Sequence, residues 1–153
     1  MMNSGLFKEV EVYQLRKATE ATCGDAFLSH RNRETGRIVS VLSDGLGSGV
    51  KANILASMTV KMALKFAESE LDIVRSAEIM MDALPVCAVR KIGYATYTVV
   101  DCRDNRTVRV IEQGNPGFIC VRGGTVMELP YTELKGRRQD YRRLRVTEFE
   151  PQP

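Results

Sequence analysis

In the stretch Ser43-Asp-Gly-Leu-Gly-Ser-Gly49, one carboxylate is followed by glycines at positions 45, 47 and 49. An aspartate at the end of a buried strand is held rigidly, and a glycine after it lets the backbone turn so that a main-chain carbonyl faces the same point as the carboxylate. Hard divalent cations such as Mg²⁺ and Mn²⁺ prefer that all-oxygen ligand set. A second carboxylate, Asp25, follows Gly24 at the start of a neighbouring predicted strand, and hairpin pairing brings it beside Asp44. Asp25, Asp44 and the Gly45 carbonyl together make half of a two-metal site. Either aspartate alone reads more simply as a turn cap, a common use of Asp next to Gly. The pair, with its glycine run, favours the metal reading. His30 is the only histidine and no cysteines are spaced C-x-x-C, which removes the zinc alternatives.

The same glycines support a rival. Gly47-Ser-Gly-Val-Lys-Ala52 fits the dinucleotide fingerprint G-x-G-x-x-A after a strand and at a helix start, with Glu68 or Glu70 near the required distance. That fingerprint needs a strand directly after the helix, whereas the pattern here predicts a second helix before Gly93. Asp44 also stands where it repels a pyrophosphate unless a cation lies between them. A Walker loop is excluded, because there is no G-K-[ST].

The elements that must position these residues are legible from periodicity. Val10, Val12 and Leu15 nearly alternate with polar residues, predicting a half-buried strand over Lys8 to Arg16. Asp25 to His30 and Ile38 to Ser43 read as the two strands of a hairpin, joined by a turn from Arg31 to Gly36. After Gly49, Leu55, Met58, Met62 and Phe66 recur at three- and four-residue steps, the pattern of an amphipathic helix. Asp72 is placed to cap a second helix with an apolar face of Ile73, Ala77, Met80, Met81 and Leu84, closed by Pro85; the methionines read as core packing. Tyr94 to Val100 and Thr107 to Glu112 form a second hairpin around Asp104 and Asn105. Gly114-Asn-Pro-Gly117 turns into Phe118 to Arg122, and Gly123-Gly124 opens a further hairpin toward Val126 to Leu129. Leu144 to Phe149 reads as a last strand. Strands, two helices, then strands describe a layered α+β domain rather than a β-α-β winding.

Composition narrows the class. A chain of 153 residues holds one domain, 1–153, with a real core, and 44% hydrophobic with 27% charged residues is ordinary for a globular protein. No apolar run approaches the length of a membrane span and the start lacks a signal-peptide layout, so the expected location is cytoplasmic, without a membrane partner. The cysteines, Cys23, Cys87, Cys102 and Cys120, stand far apart and read as reduced and mostly buried. Cys23 has no evident base and reads as structural rather than nucleophilic. A net charge of +3 is too small to imply a nucleic-acid partner. The tail cluster Lys135, Arg137, Arg138, Arg142, Arg143 and Arg145 reads as a solvated loop before it reads as a docking surface for an acidic or phosphorylated partner.

With these residues in place, the chain resembles the PPM-type (protein phosphatase 2C-like) phosphatases, in their SpoIIE-like and RsbX-like bacterial subgroup. The landmarks are Cys23-Gly-Asp25, then Val41-Leu-Ser-Asp-Gly-Leu-Gly-Ser-Gly-Val-Lys-Ala52 leading into a helix, then Tyr94-Ala-Thr-Tyr-Thr-Val-Val-Asp101, and Glu112-Gln-Gly-Asn-Pro-Gly-Phe-Ile-Cys-Val-Arg122. The resemblance implies an α-β-β-α sandwich of antiparallel sheets with flanking helices. It also implies that Asp44 bridges two Mn²⁺ or Mg²⁺ ions, and that Gly45 through its carbonyl and Asp25 ligate one of them. The implied reaction is direct hydrolysis of phosphoserine or phosphothreonine by water activated at the two ions, without a covalent phosphoenzyme. The implied partner is a phosphoprotein, of the anti-anti-sigma type used in bacterial partner switching. Beyond Ser43-Asp-Gly45 no second S-D-G occurs before Pro153, and so no late D-D or D-N after one, and the expectation is a fragment, the N-terminal part of a domain incomplete at its C-terminal end and of doubtful activity alone. A non-catalytic regulatory module of the same fold and a nucleotide-binding domain using Gly47 to Ala52 are the alternatives.

Overall fold

A computed structural model describes residues 7–69, 71–84, 95–103, 106–135 and 144–152. The first hairpin pairs β1 (Ala26–Arg31) with β2 (Ile38–Gly45). Its turn is set by Asn32, whose side-chain oxygen accepts from the amides of Glu34 at 2.9 Å and Thr35 at 3.0 Å. Two helices follow, α1 (Gly49–Ser69) and α2 (Ile73–Ala83). Asp72 caps α2 by accepting from the Arg75 amide at 2.9 Å, a contact that stabilises a helix start by about 1 kcal/mol. The chain then returns through β3 (Ala95–Cys102), β4 (Val108–Gln113), the short ribbon β5 (Cys120–Arg122) and β6 (Thr125–Met127), β7 (Thr132–Leu134) and β8 (Leu144–Phe149).

Six strands form one antiparallel sheet in the order β1-β2-β3-β4-β8-β7, with β5 and β6 paired separately. Strand β8 is inserted between β4 and β7, so the last strand in sequence is internal to the sheet. Side chains alternate across a strand, and along β2 the positions Val39, Val41 and Ser43 are buried toward the helices. The core lies between this face and α1, where Ala56, Val60, Ala63 and Leu64 meet Val39, Val41, Tyr97, Val99 and Ile111. Met80 of α2, 2% exposed, closes it, and burying such a side chain contributes about 2 kcal/mol.

On this face Asp101 of β3 is a buried charge with partners. Arg37 grips it with Nε and Nη2, both at 2.9 Å, and Arg103 Nε adds a third contact at 3.0 Å. The opposite face carries Leu42 and Asp44 of β2 and is covered in part by the segment after β4. There Phe118 stacks on Phe149 with ring centroids 6.3 Å apart.

Several expectations are corrected. Lys8 to Arg16 joins no ladder and is mostly exposed, Val10 at 46% and Val12 at 53%; its alternation is real, but none of the described strands offers it a paired edge. Met58 is 47% exposed, because it belongs with Val50 and Ile54 to a stripe on the outer side of α1. Strand β7 lies where the sequence pattern decays, and its short run is carried by pairing to β8. Cys23, Cys102 and Cys120 are free, as expected, but half-buried. Cys87, Pro85, Gly93, Tyr94, Asp104, Asn105 and the basic residues Arg137, Arg138, Arg142 and Arg143 lie outside the described residues.

A candidate acid cleft at the ends of β1 and β2

The β1–β2 register pairs Ala26 with Ser43, so the next rung of an antiparallel ladder sets Asp25 directly opposite Asp44. Side chains of an opposed pair lie on one face about 5 Å apart. Both carboxyls line the same cleft, and Asp25 is near enough for its charge to act on Asp44. Partial burial of the Asp44 carboxyl, then the charge of Asp25 and the hydrogen bond to it, push the Asp44 pKa above the usual carboxylate value, while the nearby Lys17 ammonium pulls it down. Two acids held together in this way are relieved by a proton or by a cation.

Each acid is positioned by a separate element. Asn53 on α1 donates through Nδ2 to the Cys23 carbonyl at 2.8 Å and reaches the Asp25 carbonyl at 3.4 Å, fixing the backbone that carries Asp25. The Cys23 thiol lies 3.8 Å from Asp25 Oδ2. Asp44 is held between β1 and β3, with Thr96 its partner on β3 and the Thr96 hydroxyl 3.5 Å from its carbonyl. Gly45 is demanded by space. A Cβ there would stand 2.3 Å from the Ala52 carbonyl oxygen and 2.6 Å from that of Gly24. Three backbones therefore meet at Gly45, and they do so beside both acids.

Gly24, Asp25, Asp44, Gly45 and Thr96 line a cleft of about 420 Å³. The segment before β1 supplies its outer wall, with Lys17 near Asp44 and Glu20 on the start of α1. Helix α1 has no acidic residue in its first turn; Glu20 provides the charge from outside, accepting from Ser48 Oγ at 2.8 Å and packing against Gly49, where φ is +71°. A carboxylate is favourable at a helix N-terminus. The helix start that a dinucleotide phosphate would need is thus taken by the chain's own anion, and α1 is followed by α2 rather than by a strand. Both observations weigh against the nucleotide reading of Gly47 to Ala52.

The structure therefore brings Asp25, Asp44 and Gly45 together. It adds Lys17, Glu20, Asn53 and Thr96, none of which the motif reading singled out. Thr96 was reachable, since it sits in the strand that pairs with β2; Lys17, Glu20 and Asn53 arrive through contacts between distant segments. No group of three or more His, Cys, Asp or Glu side chains suited to a metal occurs among the described residues. An ion here would rest on two carboxylates and main-chain oxygens, a donor set that suits hard cations.

The antiparallel sheet with two helices on one face corresponds to one helix-and-sheet half of the α-β-β-α sandwich that the PPM resemblance implies. A profile for Stage II sporulation protein E (SpoIIE) matches residues 34–134, and the chain belongs to that family. Two solved structures are similar in fold. One, from work on the bacterial stressosome as a modular system adapted to control secondary-messenger signalling, superposes with a TM-score of 0.64 at 18% identity, covering 90% of this chain and 68% of the other. The other, RsbX in complex with magnesium, gives a TM-score of 0.54 at 15% identity, covering 91% of this chain and 93% of RsbX. No curated protein matches the chain significantly. No described helix is long and apolar enough to cross a membrane.

Proposed function

We propose that residues 1–153 belong to a single metal-dependent phosphatase domain that hydrolyses phosphoserine or phosphothreonine on a signalling partner protein. The observation that carries this reading is the opposition of Asp25 and Asp44 at the ends of β1 and β2, two acids made adjacent by register in a family of phosphatases. Asp25, Asp44 and the Gly45 carbonyl would hold Mn²⁺ or Mg²⁺, and RsbX, similar in fold, has been crystallised with magnesium. When bound, such ions lower the pKa of a water and neutralise charge on the phosphoryl oxygens.

The chain's own residues set the conditions for that chemistry. Burial beside Asp25 raises the Asp44 pKa in the metal-free protein, and a bound cation would relieve the repulsion between the two carboxyls. Lys17 offsets the negative charge of the cleft from its outer wall. The stressosome and RsbX likenesses support protein partners in a signalling pathway; an anti-anti-sigma-type substrate and a cytoplasmic setting complete the proposal.

Isothermal titration with Mn²⁺ tests the site, and release of phosphate from a phosphoserine peptide tests the reaction. The expected result is Mn²⁺ binding by the unaltered chain that Asp44→Ala and Asp25→Ala each abolish. Equal binding by Asp44→Ala would remove the assignment.

A further inference from the structure

We infer that Asn115 is a positioning residue of the acid cleft, accepting the hydrogen bond that the Thr96 hydroxyl donates so that the oxygen's lone pairs are left to face the cleft. The inference rests on the metal-site reading above and extends it to the loop after β4.

Thr96 is the β3 partner of Asp44 and lines the cleft beside it. A threonine hydroxyl has one proton and two acceptor sites, so the direction in which it donates decides what it offers to a ligand. Two acceptors compete here: the Asp44 carbonyl at 3.5 Å, the limit of a hydrogen bond, and Asn115 Oδ1, in direct contact. The Asp44 carbonyl, at that limit, is the weaker acceptor, and the hydroxyl donates to Asn115. On its other side the Asn115 amide donates through Nδ2 to Thr98 Oγ1 at 2.9 Å. Thr96 and Thr98 share one face of β3, so the single amide spans both.

The loop that carries Asn115 is itself anchored. Gly114 forms a parallel bridge with Tyr97 of β3. The Phe118 amide donates to the buried Glu112 at 2.8 Å, and the Phe118 ring stacks on Phe149. Three attachments within five residues leave the Asn115 amide little freedom. Held this way, Thr96 Oγ becomes a neutral oxygen acceptor next to two carboxylates. A hard cation, or the water it holds, takes such an oxygen as a favourable neighbour.

The test uses the full chain and Mn²⁺ alone, titrated calorimetrically, with urea unfolding in metal-free buffer run in parallel. Thr96→Val and Asn115→Ala are each expected to weaken Mn²⁺ binding about tenfold, within the range seen when groups that orient metal ligands are removed. Thr96→Ser should restore affinity to within about twofold of the unaltered chain. The double variant should bind no more weakly than either single one, because the two side chains act as a unit. A purely structural role would lower unfolding midpoints and leave the affinity of the folded protein unchanged. The inference is overturned if Thr96→Val and Asn115→Ala bind Mn²⁺ like the unaltered chain while Asp44→Ala does not. If Asp44→Ala also binds normally, or the unaltered chain takes up no Mn²⁺, the acid-pair reading falls and this one with it.

Discussion

Replacing Gly45 with alanine tests the geometry on which the cleft depends. The added methyl meets main-chain oxygens on two sides, Ala52 at 2.3 Å and Gly24 at 2.6 Å. Ordinary contact begins at 3.4 Å, so each backbone must retreat by roughly 1 Å, and neither is the free end of a side chain that can swing away. Overpacking of this kind costs about 3 kcal/mol. Gly36→Ala is the matched control: its φ is +71° but nothing lies within 4 Å of the added carbon, so it carries only the left-handed backbone cost of about 1 kcal/mol. Urea unfolding of both variants in metal-free buffer measures the difference. Gly45→Ala should also lose Mn²⁺ binding, because the displaced Gly24 precedes Asp25 directly, whereas Gly36→Ala should keep it. The reasoning is refuted if Gly45→Ala is no less stable than Gly36→Ala.

Three more outcomes follow from the same contacts. Folding raises the Asp44 pKa above its ordinary value of 3.8, so the stability it lends is complete below that value and is lost as pH rises through the folded one; Asp25→Asn should flatten this decline in urea midpoints measured metal-free from about pH 3 to 6. The Ser43 hydroxyl is fully buried without a hydrogen-bond partner among the described residues, and Ser43→Ala should raise unfolding stability by about 1 kcal/mol, a loss counting against a dry, unpaired hydroxyl. Arg37→Met removes the bidentate partner of Asp101 and leaves it the Arg103 contact, which should cost about 3 kcal/mol in the same assay; restoration of stability in Arg37→Met/Asp101→Leu would show that the stranded charge is responsible.

How far the sequence could be read depended on the range of the interactions involved. The first hairpin was legible because Asn32 fixes a local turn and the flanking apolar residues alternate, and its register alone places Asp25 opposite Asp44. The last strand was legible too, through Leu144, Val146 and Phe149, but not its insertion between β4 and β7, which no local pattern encodes. Val10 and Val12 carry a strand's alternation without a strand's pairing, and an alternating pattern cannot tell the two apart. On α1 the helical period was correct, yet Met58 was assigned to the wrong side, since Leu55, Ala56, Thr59 and Val60 already fill the buried face. Glu20, Asn53 and Asn115 reach the site from distant segments, and each is an ordinary polar residue in its local context. Their parts emerge only when the strands and α1 are packed.

Glu20 gives the cleft a built-in competitor. A carboxylate tethered by a short segment faces the start of α1 at an effective concentration in the millimolar range, so a dilute inorganic anion gains little by approaching that end of the helix. Recognition in the cleft is thereby shifted away from the helix dipole and toward Asp25, Asp44 and Thr96, which line it as well. A ligand arriving there is selected by what it shares with a cation rather than by its charge alone.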